Sequence, residues 1–319
     1  MPYAAFCIRG GCAVLQRSIP DALAAEWISV SLIAMLRPLL CIFLALALAG
    51  CTTAPHEYAE LVPPRAVEIT RLKSAQPLIA LVLGAGGSRG FAHVGVIKAL
   101  EAEGIRPEVV VGSSSGAVVA ALYAGGFDAQ ALETMALNVE DHDLIDFTLF
   151  GPGRVQGEAL QDYVNKILGN RSIEALARSF AVVATERATN TMTVFNRGNA
   201  GLAVRASSSI PNVFWPVLIE GREYVDGGLT SRVPVPVART MGADVVIAVD
   251  VSWRGSHEVD AADVAIRPAT PRTRSLDFSA KSEAIAAGEA ATRDAIPAIR
   301  ARIAAVDAAK RRADVAVAH

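Results

Sequence analysis

Twice between Leu78 and Leu122 an unbroken apolar run passes through a glycine-rich turn into a helical pattern. Leu78 to Leu83 (LIALVL) carries a buried-strand signal and ends in Gly84-Ala85-Gly86-Gly87-Ser88-Arg89-Gly90. Phe91 to Glu103 then reads as a helix, with Phe91, Val94, Ile97 and Leu100 at three-residue spacing and Gly104 as its stop. Val109-Val110-Val111 opens the second unit, Gly112-Ser113-Ser114-Ser115-Gly116 forms its turn, and the small residues Ala117 to Leu122 its helix. Alternation of this kind requires helical crossovers, and the expected class is α/β, with a parallel sheet covered by helices on both faces.

The second turn has the spacing of a GxSxG nucleophile elbow. Such a turn holds its serine in strained backbone geometry above the strand ends. Gly112 and Gly116 remove the Cβ atoms that would clash there, and Ser114 falls at a helix N-terminus, where amides and the dipole favour developing negative charge. A plain helix cap made by Ser113 or Ser115 explains the same residues without chemistry. The first turn is equally open. Amides at a helix start cradle either a dinucleotide pyrophosphate or an oxyanion, and a tight structural turn needs neither. The dinucleotide fingerprint would need a glycine where Arg89 stands and leaves Ser114 unexplained. An oxyanion loop uses both turns, because adjacent parallel strands would bring the amides of Gly86, Gly87 and Ser88 beside the Ser114 hydroxyl.

Charge is sparse and balanced, with 30 Lys plus Arg against 32 Asp plus Glu, so the basic footprint of a nucleic-acid partner is missing. Cys7, Cys12, Cys41 and Cys51 all precede Thr52, which excludes a disulfide framework or a cysteine metal site from the folded body. Residues 35 to 51 present a short basic start, an apolar stretch too short to span a bilayer, and small residues before a cysteine. Residues 1–50 are therefore expected to form a signal region, with Met35 an alternative start. Leu48-Ala49-Gly50-Cys51 resembles the lipobox of bacterial lipoproteins, which implies cleavage before Cys51 and its acylation. Thr52 lacks the aspartate that often retains such proteins at the inner membrane, so the expected location is the periplasmic face of the outer membrane. Residues 51–77, with Pro55, Pro63, Pro64 and Pro77, are expected to be a flexible tether, and residues 78–319 the folded domain.

Further along, Gly157 to Leu168 has helical spacing, Phe180 to Thr185 and Thr191 to Phe195 read as strands, and residues 205 to 217 as a serine- and proline-containing loop that lines an apolar site or simply packs. Glu223-Tyr224-Val225 is extended and ends in Asp226-Gly227-Gly228, a turn sequence. Val233 to Met241 is expected to be a helix, Asp244 to Val251 a strand, and Ser252 to Asp277 a polar loop holding a short strand at Val264 to Ile266. Phe278 to Val306 reads as helical, with Pro297 kinking or dividing it. No internal repeat is present.

A serine hydroxyl needs a base. His56 lies in the tether and His319 ends the chain; His93 sits on an apolar helix face and His142 in an acidic stretch, whereas His257 follows Asp226 in the Ser, Asp, His order of α/β-hydrolases. The alternative is a carboxylate acting alone. Asp226 beside Val225 and two glycines suits this, provided that an apolar setting lifts it above the ordinary carboxylate value of about 3.9.

Taken together, Leu81 to Gly95 (LVLGAGGSRGFAHVG), Gly112 to Gly116, Ala206 to Pro211 (ASSSIP) and Asp226-Gly227-Gly228 resemble the bacterial branch of the patatin-like phospholipase family over roughly residues 78 to 252. The resemblance implies a three-layer α/β/α sandwich with a mostly parallel sheet. It also implies phospholipid or other acyl-ester hydrolysis by a Ser114–Asp226 dyad, with no catalytic histidine, no cofactor and no metal. Gly86, Gly87, Ser88 and Arg89 match the oxyanion loop, and Gly90 and Gly227 to Gly228 belong to the motif glycines. Ala85 departs from the family's first loop glycine, and its methyl group is expected to narrow the loop. This departure leaves a lipid-binding or regulatory lipoprotein as the alternative function.

Overall fold

Strand β1 (Ile79–Leu83) occupies the middle of an eight-stranded sheet, flanked in parallel by β2 (Val109–Ser113) and β7 (Val245–Val249). All three are fully buried, which explains their continuous Val, Ile and Leu runs. The computed structural model describes residues 61–148 and 151–317, with side chains through residue 313. The signal region, Cys51, His56 and His319 lie outside the described residues.

The sheet runs β5-β6-β3-β2-β1-β7-β8, where β3 is Ser179–Glu186, β5 Val217–Ile219, β6 Arg222–Val225 and β8 Val264–Ile266, and β4 (Thr191–Phe195) pairs with β3. The pairs β1–β2, β1–β7, β2–β3 and β7–β8 are parallel, and the β3–β4, β3–β6 and β5–β6 pairs are antiparallel. The central sheet is thus mostly parallel, as expected.

Side-chain alternation along the strands divides the core between two faces. Ile79, Leu81, Leu83, Val110, Phe180 and Ile247 join the larger cluster with the helices α1 (Ala92–Ala102), α2 (Ser115–Ala124), α3 (Ala129–Asn138), α5 (Glu158–Leu168) and α6 (Ala200–Ser208). The short α4 (Asp141–Leu144) precedes α5. Ala80, Val82, Val109, Val111 and Val246 face the thinner layer, built on α7 (Val235–Thr240). The result is an α/β/α sandwich with unequal layers.

Three departures from expectation have local causes. Helix α8 (Lys281–Val317) is not divided at Pro297, since proline removes a single backbone donor and the nearby Ile296 and Ile299 are buried in the core. Residues 200–208 are helical, so the expected loop from residue 205 begins only after Ser208; Asn199 accepts from the Leu202 amide and caps the first turn. The folded unit also begins before residue 78. The Arg65 amide donates to the Arg197 carbonyl at 3.0 Å and the Leu72 amide to the Met241 carbonyl at 2.9 Å, while Ile69 and Leu72 pack against the thinner layer. That part of the expected tether is fastened to the domain.

Candidate active site

Strand β3 is longer than its neighbours, and two strands share one of its edges. β2 pairs with the first part of β3 up to Ser113↔Val183, and β6 arrives from the opposite direction up to Val225↔Thr185. Both lie on the edge opposite β4, which pairs with Val183 and Thr185 from the other side. β2 and β6 therefore meet end to end, and the residues that leave them, Ser114 and Asp226, are brought together.

Ser114 adopts φ 53° and ψ −128°, a left-handed conformation that side chains rarely accept and that typically stores about 1–3 kcal/mol. Its neighbours impose this shape. The Ser114 amide donates to Ser207 Oγ at 2.8 Å, and that hydroxyl donates onward to the Val183 carbonyl at 2.6 Å. Ser113 Oγ donates to the Ser231 carbonyl at 2.9 Å. A Cβ at Gly116 would lie 2.1 Å from the Leu83 carbonyl oxygen, so the helix can start against β1 only with glycine there.

The Ser114 hydroxyl donates to Asp226 Oδ2 at 2.6 Å. The two residues are only 5% and 7% exposed. Asp226 Oδ1 accepts the Gly228 amide at 2.7 Å, the Asp226 amide donates to the Ser209 carbonyl, and its own carbonyl accepts from Thr185 Oγ1. Gly227 presses on β3, where a Cβ would stand 2.1 Å from the Val183 oxygen. Burial raises the Asp226 carboxyl to about 6; the hydrogen bonds from Ser114 and Gly228 and the charge of Arg232 pull it back only in part. An aspartate so placed is mostly ionised at neutral pH and is a stronger proton acceptor than an ordinary carboxylate.

The glycine loop after β1 arches over this pair. The Gly86 amide donates to Ser115 Oγ at 3.1 Å and the Ser88 amide to the Ser275 carbonyl at 2.8 Å, whereas the Gly87 amide has no internal acceptor among the described residues. Gly87 has φ +61°, and a Cβ there would meet Ser275 at 2.7 Å. Arg89 turns its side chain away from Ser114, donating from Nε to the Val251 carbonyl at 2.8 Å and from Nη1 to the Thr273 carbonyl at 3.3 Å. Ala85 sits in the loop without positive φ, and its amide donates to the Arg232 carbonyl. Its methyl group points at Gly228, whose missing side chain leaves the space. Gly90 likewise clears Ser115, and Gly112 clears Ala117.

Two cavities open on Ser114. One is a narrow slot of about 130 Å³ running beneath the elbow between Val119, Leu132, Met135, Leu160, Phe214 and neighbouring apolar side chains. The other, about 580 Å³, is a wider cleft on the Asp226 side, with several arginines in its lining. The slot has the chemistry of an acyl-chain site.

Among the described residues no histidine joins the pair. His257 is fully exposed beside Asp260, which removes the Ser, Asp, His order as an arrangement in space. His93 is buried with Nε2 on the Gly84 carbonyl at 2.9 Å and is lowered to about 4 by burial, so it stays neutral and braces the loop. His142 lies at the surface beside Glu140. Among the described residues no cluster of three His, Cys, Asp or Glu side chains could hold a metal. Two features escaped sequence reasoning: Ser207 as the anchor of the elbow, and residues 273–275, within the expected polar loop, as the clasp on the glycine loop.

The family model Patatin-like phospholipase matches residues 81–239, a span that contains the glycine loop, the elbow and Asp226. An uncharacterized NTE family protein of Mycobacterium bovis is 36% identical over 192 residues, covering 60% of this chain and 53% of that protein. Human patatin-like phospholipase domain-containing protein 6 is 33% identical over 181 residues, which are 54% of this chain and 13% of that one. Lysophospholipase NTE1 of Coccidioides immitis is 34% identical over 179 residues, 54% of this chain and 11% of that one. This chain thus spans about half the length of the first relative and a far smaller share of the other two. Among solved structures, VipD from Legionella pneumophila shares the fold with a TM-score of 0.53 at 13% identity, covering 79% of this chain and 73% of that one. By motif order, fold and sequence, the chain belongs to the patatin-like phospholipase family.

Proposed function

We propose that this protein is a lipid acyl-ester hydrolase of phospholipase A or esterase type, working through Ser114 and Asp226 alone. The observation that carries the reading is the 2.6 Å hydrogen bond from the Ser114 hydroxyl to a buried carboxylate, at the mouth of an apolar slot. Relatives named as phospholipase-domain protein and lysophospholipase support the substrate class.

Ser114 Oγ attacks the ester carbonyl carbon while its proton passes to Asp226 Oδ2. The tetrahedral oxyanion takes the free amide of Gly87, the loop donor without an internal partner. Collapse breaks the bond to the alcohol oxygen, which leaves with the proton from Asp226, and the acyl group stays on Ser114. Water then attacks the acyl-enzyme, its proton going to Asp226 and from there to Ser114 as the fatty acid departs. Cys51, acylated as its lipobox-like setting implies, would hold the enzyme at the cell envelope beside its substrate.

Fluorophosphonate labelling of the full chain, with a panel of esters of increasing acyl length, tests the reading. Labelling and turnover are expected in the wild type and absent in Ser114→Ala, with turnover lost in Asp226→Asn. An unlabelled wild type, or an active Asp226→Asn variant, overturns it.

A further inference from the structure

The two cavities on Ser114 divide an ester between them, and resting on the reading above, the acyl chain fills the apolar slot while the alcohol portion falls in the wider cleft. The side chains of that cleft therefore select the alcohol. Its lining contains Arg89, Arg232, Arg254 and Arg274 but only one acid, Asp226, which is already engaged with Ser114 and Gly228.

Arg89 is occupied, bonded to two carbonyls and stacked 5.3 Å from the Trp253 ring centroid. Arg232, Arg254 and Arg274 are exposed, and none makes an ion pair among the described residues; Arg232 acts on Asp226 and Arg274 on Asp277 only through longer-range charge. Other arginines in this half of the chain do find acids: Arg239 and Arg302 share Asp263, and Arg267 pairs with Asp260. Like charges gathered around one concave site repel each other and focus a positive potential into it. The Arg232 carbonyl holds the Ala85 amide and the Arg274 carbonyl accepts the Ser88 hydroxyl, so both arginines are fixed at the backbone to the loop over Ser114. Trp253 and Leu229, 61% and 55% exposed, form an apolar rim on the same cleft.

We propose that this cleft is an anion subsite in which Arg232, Arg254 and Arg274 bind the phosphate of the substrate's head group, making the enzyme selective for phosphate-bearing over neutral acyl esters. Guanidinium forks match phosphate oxygens in geometry as well as charge.

The test uses two monomeric short-chain esters with the same acyl group, one of a phosphate-bearing alcohol and one of a neutral alcohol, with the full chain in nonionic detergent. The wild type is expected to favour the phosphate ester about tenfold or more in kcat/KM, carried by KM and eroded by salt, the scale of one or two charge-assisted hydrogen bonds. Arg254→Gln and Arg274→Gln should each cut that ratio, the double variant should bring it near unity, and Arg254→Lys should retain part of it. Equal KM values for the two esters, or an unchanged ratio in the double variant, overturn the proposal. A phosphate preference seen only on anionic vesicles, and not with monomers, also overturns it by assigning the arginines to the lipid surface. Calorimetry with glycerol 3-phosphate against glycerol reads the same subsite without turnover. Binding of the phosphate that is lost in the double variant supports the subsite even if neither ester is cleaved, an outcome that would sink the hydrolase reading alone; absence of binding counts against the subsite alone.

Discussion

Burying a base that must carry charge has a thermodynamic signature, which Asp226→Asn exposes. The folded chain raises the Asp226 carboxyl from 3.8 to about 6, so the native state holds a proton that the unfolded state has already released. Where the native state binds more protons, stability falls as pH rises. Below about pH 4 the carboxyl is protonated in both states and the effect vanishes. Between about 4 and 6 the wild type loses stability, and above 6 the loss levels off. A shift of about two units at 1.36 kcal/mol each amounts to about 3 kcal/mol. Asparagine cannot titrate, and its altered hydrogen bonds to Ser114 and Gly228 contribute equally at every pH. Urea unfolding of wild type and Asp226→Asn should therefore show the variant gaining about 3 kcal/mol on the wild type between pH 4 and pH 8, most of it between 4 and 6. All other titrating groups cancel in the difference. Two stability curves that stay parallel across that interval, within about 1 kcal/mol, would refute the argument that burial sets the basicity of Asp226.

Further outcomes follow from the same site. Because Asp226 must be ionised to accept a proton, kcat/KM for a neutral ester should rise through about pH 6 and then flatten; a profile flat down to pH 4.5 contradicts this. Ser207→Ala leaves the buried Ser114 amide and the Val183 carbonyl without a partner, at about 1–3 kcal/mol, so kcat should fall about tenfold or more while the chain still folds; circular dichroism checks the fold. Ser114→Gly and Ser114→Ala both lose the hydroxyl but only glycine releases the strain at φ 53°, so the glycine variant should be the more stable by about 1 kcal/mol or more in urea. Val119→Phe narrows the apolar slot, and each methylene it excludes should reduce kcat/KM for long esters about fourfold, from about 0.8 kcal/mol per buried CH2, relative to a butyrate ester. Unchanged chain-length preference would remove the slot from acyl binding.

The central strands and the elbow were legible in the sequence because their signals are local. The runs at 79–83, 109–113 and 245–249 are buried on both faces and cannot hide their composition, and GSSSG is the sequence of the turn that it makes. Strands β4 and β8 match the expected bounds for the same reason. Helix α6 escaped because Gly201 and the serines at its end, Ser207 and Ser208, argue against a helix, whereas tertiary packing decides: a Cβ at Gly201 would strike the Asn165 side chain, so glycine is there for fit with α5. What Asp226 meets could not be read from Asp-Gly-Gly alone, since an ordinary turn has the same residues. Its position depends on β6 ending at Thr185 of β3 while β2 ends at Val183, a relation between distant segments. The arginine-lined cleft is the same kind of feature, its members drawn from loops after β1, β6, β7 and β8.

The abutment of β2 and β6 on β3 also separates two kinds of evolutionary freedom. The reacting atoms are held by backbone pairing at one sheet edge, whereas much of the acyl slot is lined from α3 to α5 and by Ile210 and Phe214 after α6. Exchanging α3 to α5 for others of similar length would retune which fatty chains are accepted while the proton relay keeps its spacing, so one reaction centre can serve many lipids.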